Sequence, residues 1–143
     1  MPKMNRPTFL FLILLNTCIT YGQSPASTPV GNWKMISHLA TYEGKTFDSH
    51  VALLSQRPCA AKIIYRITSD GNYRLDASES GCDEKYVSIQ QRLYSKNVWK
   101  VSGTSIFVGG KEGIGNTYAL TFSGNKMTWK SEYGDVITYQ KLP

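Results

Sequence analysis

The sequence predicts an all-β fold of eight or nine short strands, either a sandwich or a barrel. Short runs of alternating apolar and polar residues recur along the chain, each bounded by a turn signal. The turns are marked at Asp70-Gly71, Ser95-Lys96-Asn97, Ser102-Gly103, Gly124-Asn125 and Gly134-Asp135. Sustained spacing of three and four, as an amphipathic helix needs, is not read anywhere in the chain.

Before the strands comes an export pattern. Lys3 and Arg6 give a positive start, and residues 9–15 form an apolar run of signal-core length, too short to span a bilayer. Thr20 and Gly22 flank Tyr21 as a signal peptidase requires, so residues 1–22 are expected to be a signal peptide. A rival route runs through Cys18, because Leu15-Asn16-Thr17-Cys18 loosely resembles a lipobox. Acylation there would anchor the protein to a membrane without changing its fold. Residues 23–30, with Pro25 and Pro29 among small polar residues, read as a flexible leader. Residues 31–143 then form one domain, since about 120 residues supply a single core.

The expected strands cover residues 33–40, 62–68, 72–77, 86–94, 98–101, 105–108, 117–122, 127–132 and 136–141. Residues 48–56 stay ambiguous between a short helix and a lid. Period-two parity puts Tyr118, Leu120 and Phe122 on one face, and Met127 with Trp129 on another. Ile137 with Tyr139, Trp99 with Val101, and Ile106 with Val108 are read as inward pairs. In the run 86–94, Val87, Ile89 and Leu93 oppose Tyr86, Ser88, Gln90 and Arg92. This inward set is rich in aromatics, which suits either a filled core or the wall of an apolar-ligand pocket. Strand patterning does not separate the two.

Cys59 and Cys82 bracket the expected hairpin of residues 62–77. With Cys18 removed or acylated, the remaining two are expected to pair and staple the hairpin's open end. Such a bond belongs to an exported protein. Loss of Lys3 and Arg6 with the signal lowers the formal charge from +6 by two, to +4. The remaining basic residues are scattered, among them Lys126, Lys130 and Lys141, so no nucleic-acid partner is implied.

Searches for catalytic or metal chemistry find no constellation. His38 and His50 stand alone, without metal-ligand spacing. Residues 109–115 are glycine-rich but lack P-loop order and a following helix, and read as a loop at a barrel mouth. Asp76, Glu79, Asp83 and Glu84 lack the spacing of a calcium loop. Arg66 and Arg92 are weighed as inward anchors for a carboxylate headgroup and read as surface residues. No cofactor, metal or enzymatic activity is expected.

Gly31-Asn32-Trp33 at the start of the first strand resembles the Gly-x-Trp signature of lipocalins. The ordered set of Cys59, Tyr65, Asp70-Gly71-Asn72-Tyr73, Cys82, Trp99 and Tyr118-Ala119-Leu120-Thr121-Phe122-Ser123-Gly124-Asn125-Lys126-Met127 is similar to bacterial lipocalin-like domain proteins. That resemblance implies an antiparallel up-and-down β-barrel of about eight strands. It also implies that Trp33 crosses the closed end with Gly31 beside it and Lys141, in place of the usual arginine, lying over its ring.

Two functions follow as expectations. One is an exported protein binding a small hydrophobic or amphipathic molecule, with Tyr65, Trp99, Tyr118, Leu120, Phe122, Met127 and Trp129 as candidate wall. The other is a surface or secreted interaction module with a solid core, meeting a protein or glycan through the loops 78–85 and 109–116. Membrane contact is expected only through a lipid at Cys18, and oligomeric state is not legible.

Overall fold

The computed structural model describes residues 27–143. The expected signal peptide, Cys18 and residues 23–26 lie outside the described residues. Pro29 is buried, and its carbonyl accepts a hydrogen bond from Trp33 Nε1 at 2.7 Å. The last part of the stretch read as a flexible leader is therefore packed against the start of the domain.

Strand β1 (Gly31–Tyr42) begins the fold, and its second half turns back on β2 (Lys45–Asp48). Helix α1 (Ser49–Gln56) and a 3-10 turn (Pro58–Lys62) lead to the hairpin of β3 (Ile64–Ile67) and β4 (Tyr73–Asp76). Helix α2 (Glu84–Tyr94) then precedes a five-strand meander. It consists of β5 (Val98–Ser102), β6 (Ser105–Gly109), β7 (Gly115–Ser123), β8 (Lys126–Lys130) and β9 (Val136–Lys141).

Eight strands lie side by side in the order β4-β3-β1-β9-β8-β7-β6-β5, every pairing antiparallel, with β2 attached beside β1. The two ends of this row meet where Asn72 bridges Val98. There Tyr73 N donates to the Asn97 carbonyl at 3.1 Å and Trp99 N to that of Gly71 at 3.0 Å. The Trp99 indole adds a bond to the Thr68 carbonyl at 2.9 Å. The result is a nearly closed, up-and-down antiparallel barrel.

The register explains the core. Met127 sits opposite both Tyr139 and Phe122, and Trp129 opposite both Ile137 and Leu120, so parity fills the interior as the alternation predicts. Trp33, Ile106 and Met127 are fully buried, and each such apolar side chain contributes about 1.5–3 kcal/mol. In β1 a register slip between Met35 and Ser37 breaks the alternation. It brings His38, rather than Ser37, into line with the inward Ile137.

One expected strand is a helix. Residues 86–94 belong to α2, whose half-buried positions Tyr86, Val87, Gln90, Gln91 and Tyr94 recur at helical spacing. Two of the five are glutamines, which weakens the apolar stripe, while Val87-Ser88-Ile89 imitates a strand. Ile89 and Leu93, read as inward, are exposed. The Asp83 carboxylate caps the helix by accepting from Tyr86 N at 2.9 Å. Strand β2 was not anticipated, Lys62 closes the 3-10 turn, and Val101 is exposed towards the end of β5. The ambiguous 48–56 resolves as α1, with Asp48 as its cap.

Cys59, in the 3-10 turn, is bonded to Cys82, just before α2, with Cα atoms 5.2 Å apart. Arg57 reinforces the clasp by pairing with Asp83 and lying 4.0 Å over the Tyr86 ring. Buried Ser80 orders the loop between, donating to the Ala77 carbonyl at 2.6 Å and accepting from Cys82 N at 3.2 Å. A disulfide of this kind is consistent with an extracellular location. Among the described residues no helix is long and apolar enough to cross a membrane.

Candidate functional site

The two ends of the barrel differ. Where β1 starts and β9 finishes, Trp33 is completely buried, and Lys141 Nζ lies 5.5 Å from its ring centroid. Gly31, Trp33 and Lys141 are thus brought together. Gly31 has φ +146°, and a Cβ on it would meet Lys141 Cε at 3.0 Å. The lysine stem packs over the indole because no side chain intervenes.

The opposite end holds a cavity of about 380 Å³. Its wall draws on six strands and α2: Met35 and His38 from β1, Tyr73 from β4, Tyr94 from α2, Val108 from β6, Tyr118 from β7, Trp129 from β8 and Tyr139 from β9. Ile114, with Gly109, Gly110 and Gly115 of the β6–β7 turn, forms part of its rim. That connection is the glycine-rich stretch expected at a barrel mouth. Gly109 and Gly115 pair across its neck so closely that a Cβ on Gly109 would lie 2.3 Å from the Ile114 carbonyl oxygen.

Trp129 is the hub of the aromatic wall. Its ring lies 4.8 Å from that of Tyr139, 5.5 Å from Tyr73 and 5.6 Å from Tyr118. Tyr94 meets Tyr73 edge-on at 5.5 Å, and Tyr65 meets Tyr139 the same way at 5.4 Å. Burial pushes the phenols of Tyr65, Tyr73, Tyr94 and Tyr139 above their ordinary value, and neighbouring phenols add to the effect. These groups stay neutral, so the wall is apolar with uncharged hydroxyl tips.

A second cavity, of about 190 Å³, adjoins the first through Met35, His38 and Tyr94. Ser49, His50, Tyr65 and Tyr86 also line it. Burial lowers the His50 imidazole, against the opposing pull of Asp48. Burial alone would raise the Asp48 carboxyl. Hydrogen bonds from the Ser37 hydroxyl and the Val51, His38 and His50 amides outweigh that and hold it below the usual range. A wider depression, about 690 Å³, lies against Thr117, Lys130, Glu132, Tyr133 and Asp135 of β7, β8 and the β8–β9 turn. Its lining is largely polar, which makes the aromatic mouth the better candidate for an apolar ligand.

Of the seven residues expected as wall, Tyr118 and Trp129 line the mouth, and Tyr65 lines the adjoining cavity. Leu120 and Met127 are buried core, with Phe122 packed against it. Trp99 seals the β4–β5 seam instead. Tyr73, Tyr94 and His38 line the mouth without having been anticipated as wall. In the sequence Tyr73 belongs to the turn and its strand, Tyr94 falls in a run that reads as a strand and is a helix, and His38 depends on the slip in β1, for which no residue gives a signal.

Arg66, weighed as an inward anchor, bonds Asp76 instead, through Nη2 at 2.6 Å and Nε at 3.0 Å. Arg92 is exposed in the last turn of α2. Among the described residues no group of three or more histidine, cysteine or acidic side chains is placed to hold a metal. Comparisons with models of known protein families, with curated proteins and with solved structures found no match to this chain.

Proposed function

We propose that the chain is an exported, lipocalin-like binding protein that takes a small hydrophobic or amphipathic molecule into the open end of its barrel. The observation that carries this reading is the 380 Å³ aromatic cavity at that end. Its size falls within the range of roughly 300–1,000 Å³ usual for small-molecule sites. The barrel topology, Lys141 over Trp33 at the other end, and the Cys59–Cys82 bond support the family and the compartment. Titration calorimetry with neutral aromatics, terpenoids and fatty acids, followed in parallel by tryptophan emission, tests it. Saturable binding of at least one class, weakened by Tyr118→Ala, is expected. No heat and no emission change across the whole panel overturns the reading.

The interaction-module reading has one observation of its own. Ile114 and Tyr133, on neighbouring connections between mouth strands, are 82% and 78% exposed. Retention of a partner protein or glycan by the wild type but not by a paired Ile114→Ser, Tyr133→Ser variant, with small molecules ignored, would favour it.

A further inference from the structure

The chemistry of the mouth narrows its ligand, and this inference rests on the binding reading above. Among the described residues lining the 380 Å³ cavity there is no aspartate, glutamate, lysine or arginine. An anionic headgroup held there would lose its hydration without gaining an opposite charge, which is costly.

The wall also carries more hydrogen-bond donors than it uses. Trp129 is 2% exposed, and its Nε1 is buried with no hydrogen-bond partner among the described residues. An indole N–H donates and cannot accept, so only an incoming acceptor satisfies it. The Tyr73 and Tyr139 hydroxyls lie 3.1 Å apart. One proton makes that bond, and the second phenolic proton has no acceptor among the described residues. Proteins seldom bury an unmatched donor, because each costs about 1–3 kcal/mol.

We infer that the mouth selects neutral, aromatic-sized molecules bearing a hydrogen-bond-accepting oxygen, of which an aryl ketone is the simplest, with Trp129 Nε1–H as the donor to that oxygen. The tyrosine and tryptophan rings supply apolar contact to the body of such a molecule. The surplus phenolic proton of the Tyr73–Tyr139 pair offers a second donor. Carboxylates are disfavoured, for want of a partner charge.

The test uses three probes of one shape: 2-acetonaphthone, 2-ethylnaphthalene and 2-naphthoate. Calorimetry gives their affinities for the wild type and for Trp129→Phe, and a nitrogen–proton correlation spectrum follows the indole N–H signals. The ratio of ketone to hydrocarbon affinity is expected to fall about tenfold in Trp129→Phe, the loss of one net hydrogen bond. In the wild type the Trp129 indole signal moves downfield with the ketone and stays put with the hydrocarbon. That spectrum needs no variant, so the inference remains testable if Trp129→Phe fails to fold. An unchanged ratio, or an indole signal indifferent to the ketone, overturns the acceptor inference and leaves the cavity reading standing. Naphthoate as the tightest probe overturns neutrality. If none of the three binds while the broader panel does, the aromatic ketone class is wrong; if nothing binds at all, the binding reading itself fails.

Discussion

The phenolic oxygens of Tyr73 and Tyr139 lie 3.1 Å apart although 66 positions separate the two residues in the chain. They tie β4 to β9 across the interior, and burial raises both phenols well above their ordinary value. A raised value in the folded state means stability complete below the unfolded value, near pH 10, and lost as pH climbs towards the folded ones. Each such tyrosine lowers stability by about 1.4 kcal/mol per pH unit above that point. Urea midpoints are therefore expected to hold steady up to about pH 9.5 and fall steeply beyond it. Tyr139→Phe costs about 1 kcal/mol at neutral pH through the lost bond, yet flattens the alkaline fall by one tyrosine's share. Equal alkaline slopes for wild type and variant would show that these hydroxyls ionise freely in the fold.

The clasp between Cys59 and Cys82, 23 positions apart, gives a separate test. In the chain-entropy account its closure contributes roughly 3 to 3.5 kcal/mol. Paired Cys59→Ser, Cys82→Ser replacement is expected to lower stability by about that amount, measured by urea unfolding. The Arg57–Asp83 pair and the Arg57–Tyr86 contact remain in the variant. They are exposed enough to recover little of the loss. A fall below about 1 kcal/mol would mean that the unfolded chain is already compact around these residues. Intact mass of the native protein, two hydrogens lighter than the reduced chain, checks the bond directly.

Much of the barrel was legible because a strand with one buried face writes its geometry into the sequence two residues at a time. Met127 and Trp129 in β8, or Ile137 and Tyr139 in β9, could be assigned inward from parity alone, and the register agrees. The mouth was less legible for two physical reasons. Helix α2 covers the barrel with Gln90 and Gln91 in its inner stripe, so hydrophobic periodicity understates it. The slip after Met35 reverses the parity of β1 and sends His38 inward, a choice made by pairing with β9 and not by any residue of β1. Candidate wall residues taken from parity consequently included core members such as Leu120 and Met127, and left out Tyr94, which only a helix could deliver.

At the closed end, Gly31 at φ +146° permits Lys141 to lie over Trp33. Lys141→Met keeps most of the apolar stem and removes the charge, so its cost isolates the cation–π contact at about 0.5–1 kcal/mol. Gly31→Ala is expected to cost more, since it combines an unfavourable backbone angle with a 3.0 Å approach to Lys141 Cε. Thermal unfolding of the two variants and the pair checks the order. If Gly31→Ala costs no more than Lys141→Met, the close approach is relieved by the lysine moving, and the arrangement at this end is looser than the geometry implies.

The rim makes the sharpest demand on residue type. Gly109 and Gly115 face each other across the neck of the β6–β7 connection. A methyl on Gly115 would meet the Val108 carbonyl oxygen at 2.3 Å and Gly109 Cα at 2.6 Å. These obstacles are backbone atoms, so rotating a side chain does not relieve them. Either substitution to alanine must spread the neck, at a cost of about 1–3 kcal/mol, and so displace Ile114 at the edge of the mouth. Gly113→Ala, at φ +83° with open space around it, carries the cost of a left-handed backbone angle and meets no steric obstacle. The expected result is a larger loss of stability in Gly109→Ala and Gly115→Ala than in Gly113→Ala, together with weakened probe binding in the first two. Comparable losses in all three would mean that the neck opens easily and that the rim does not shape the cavity.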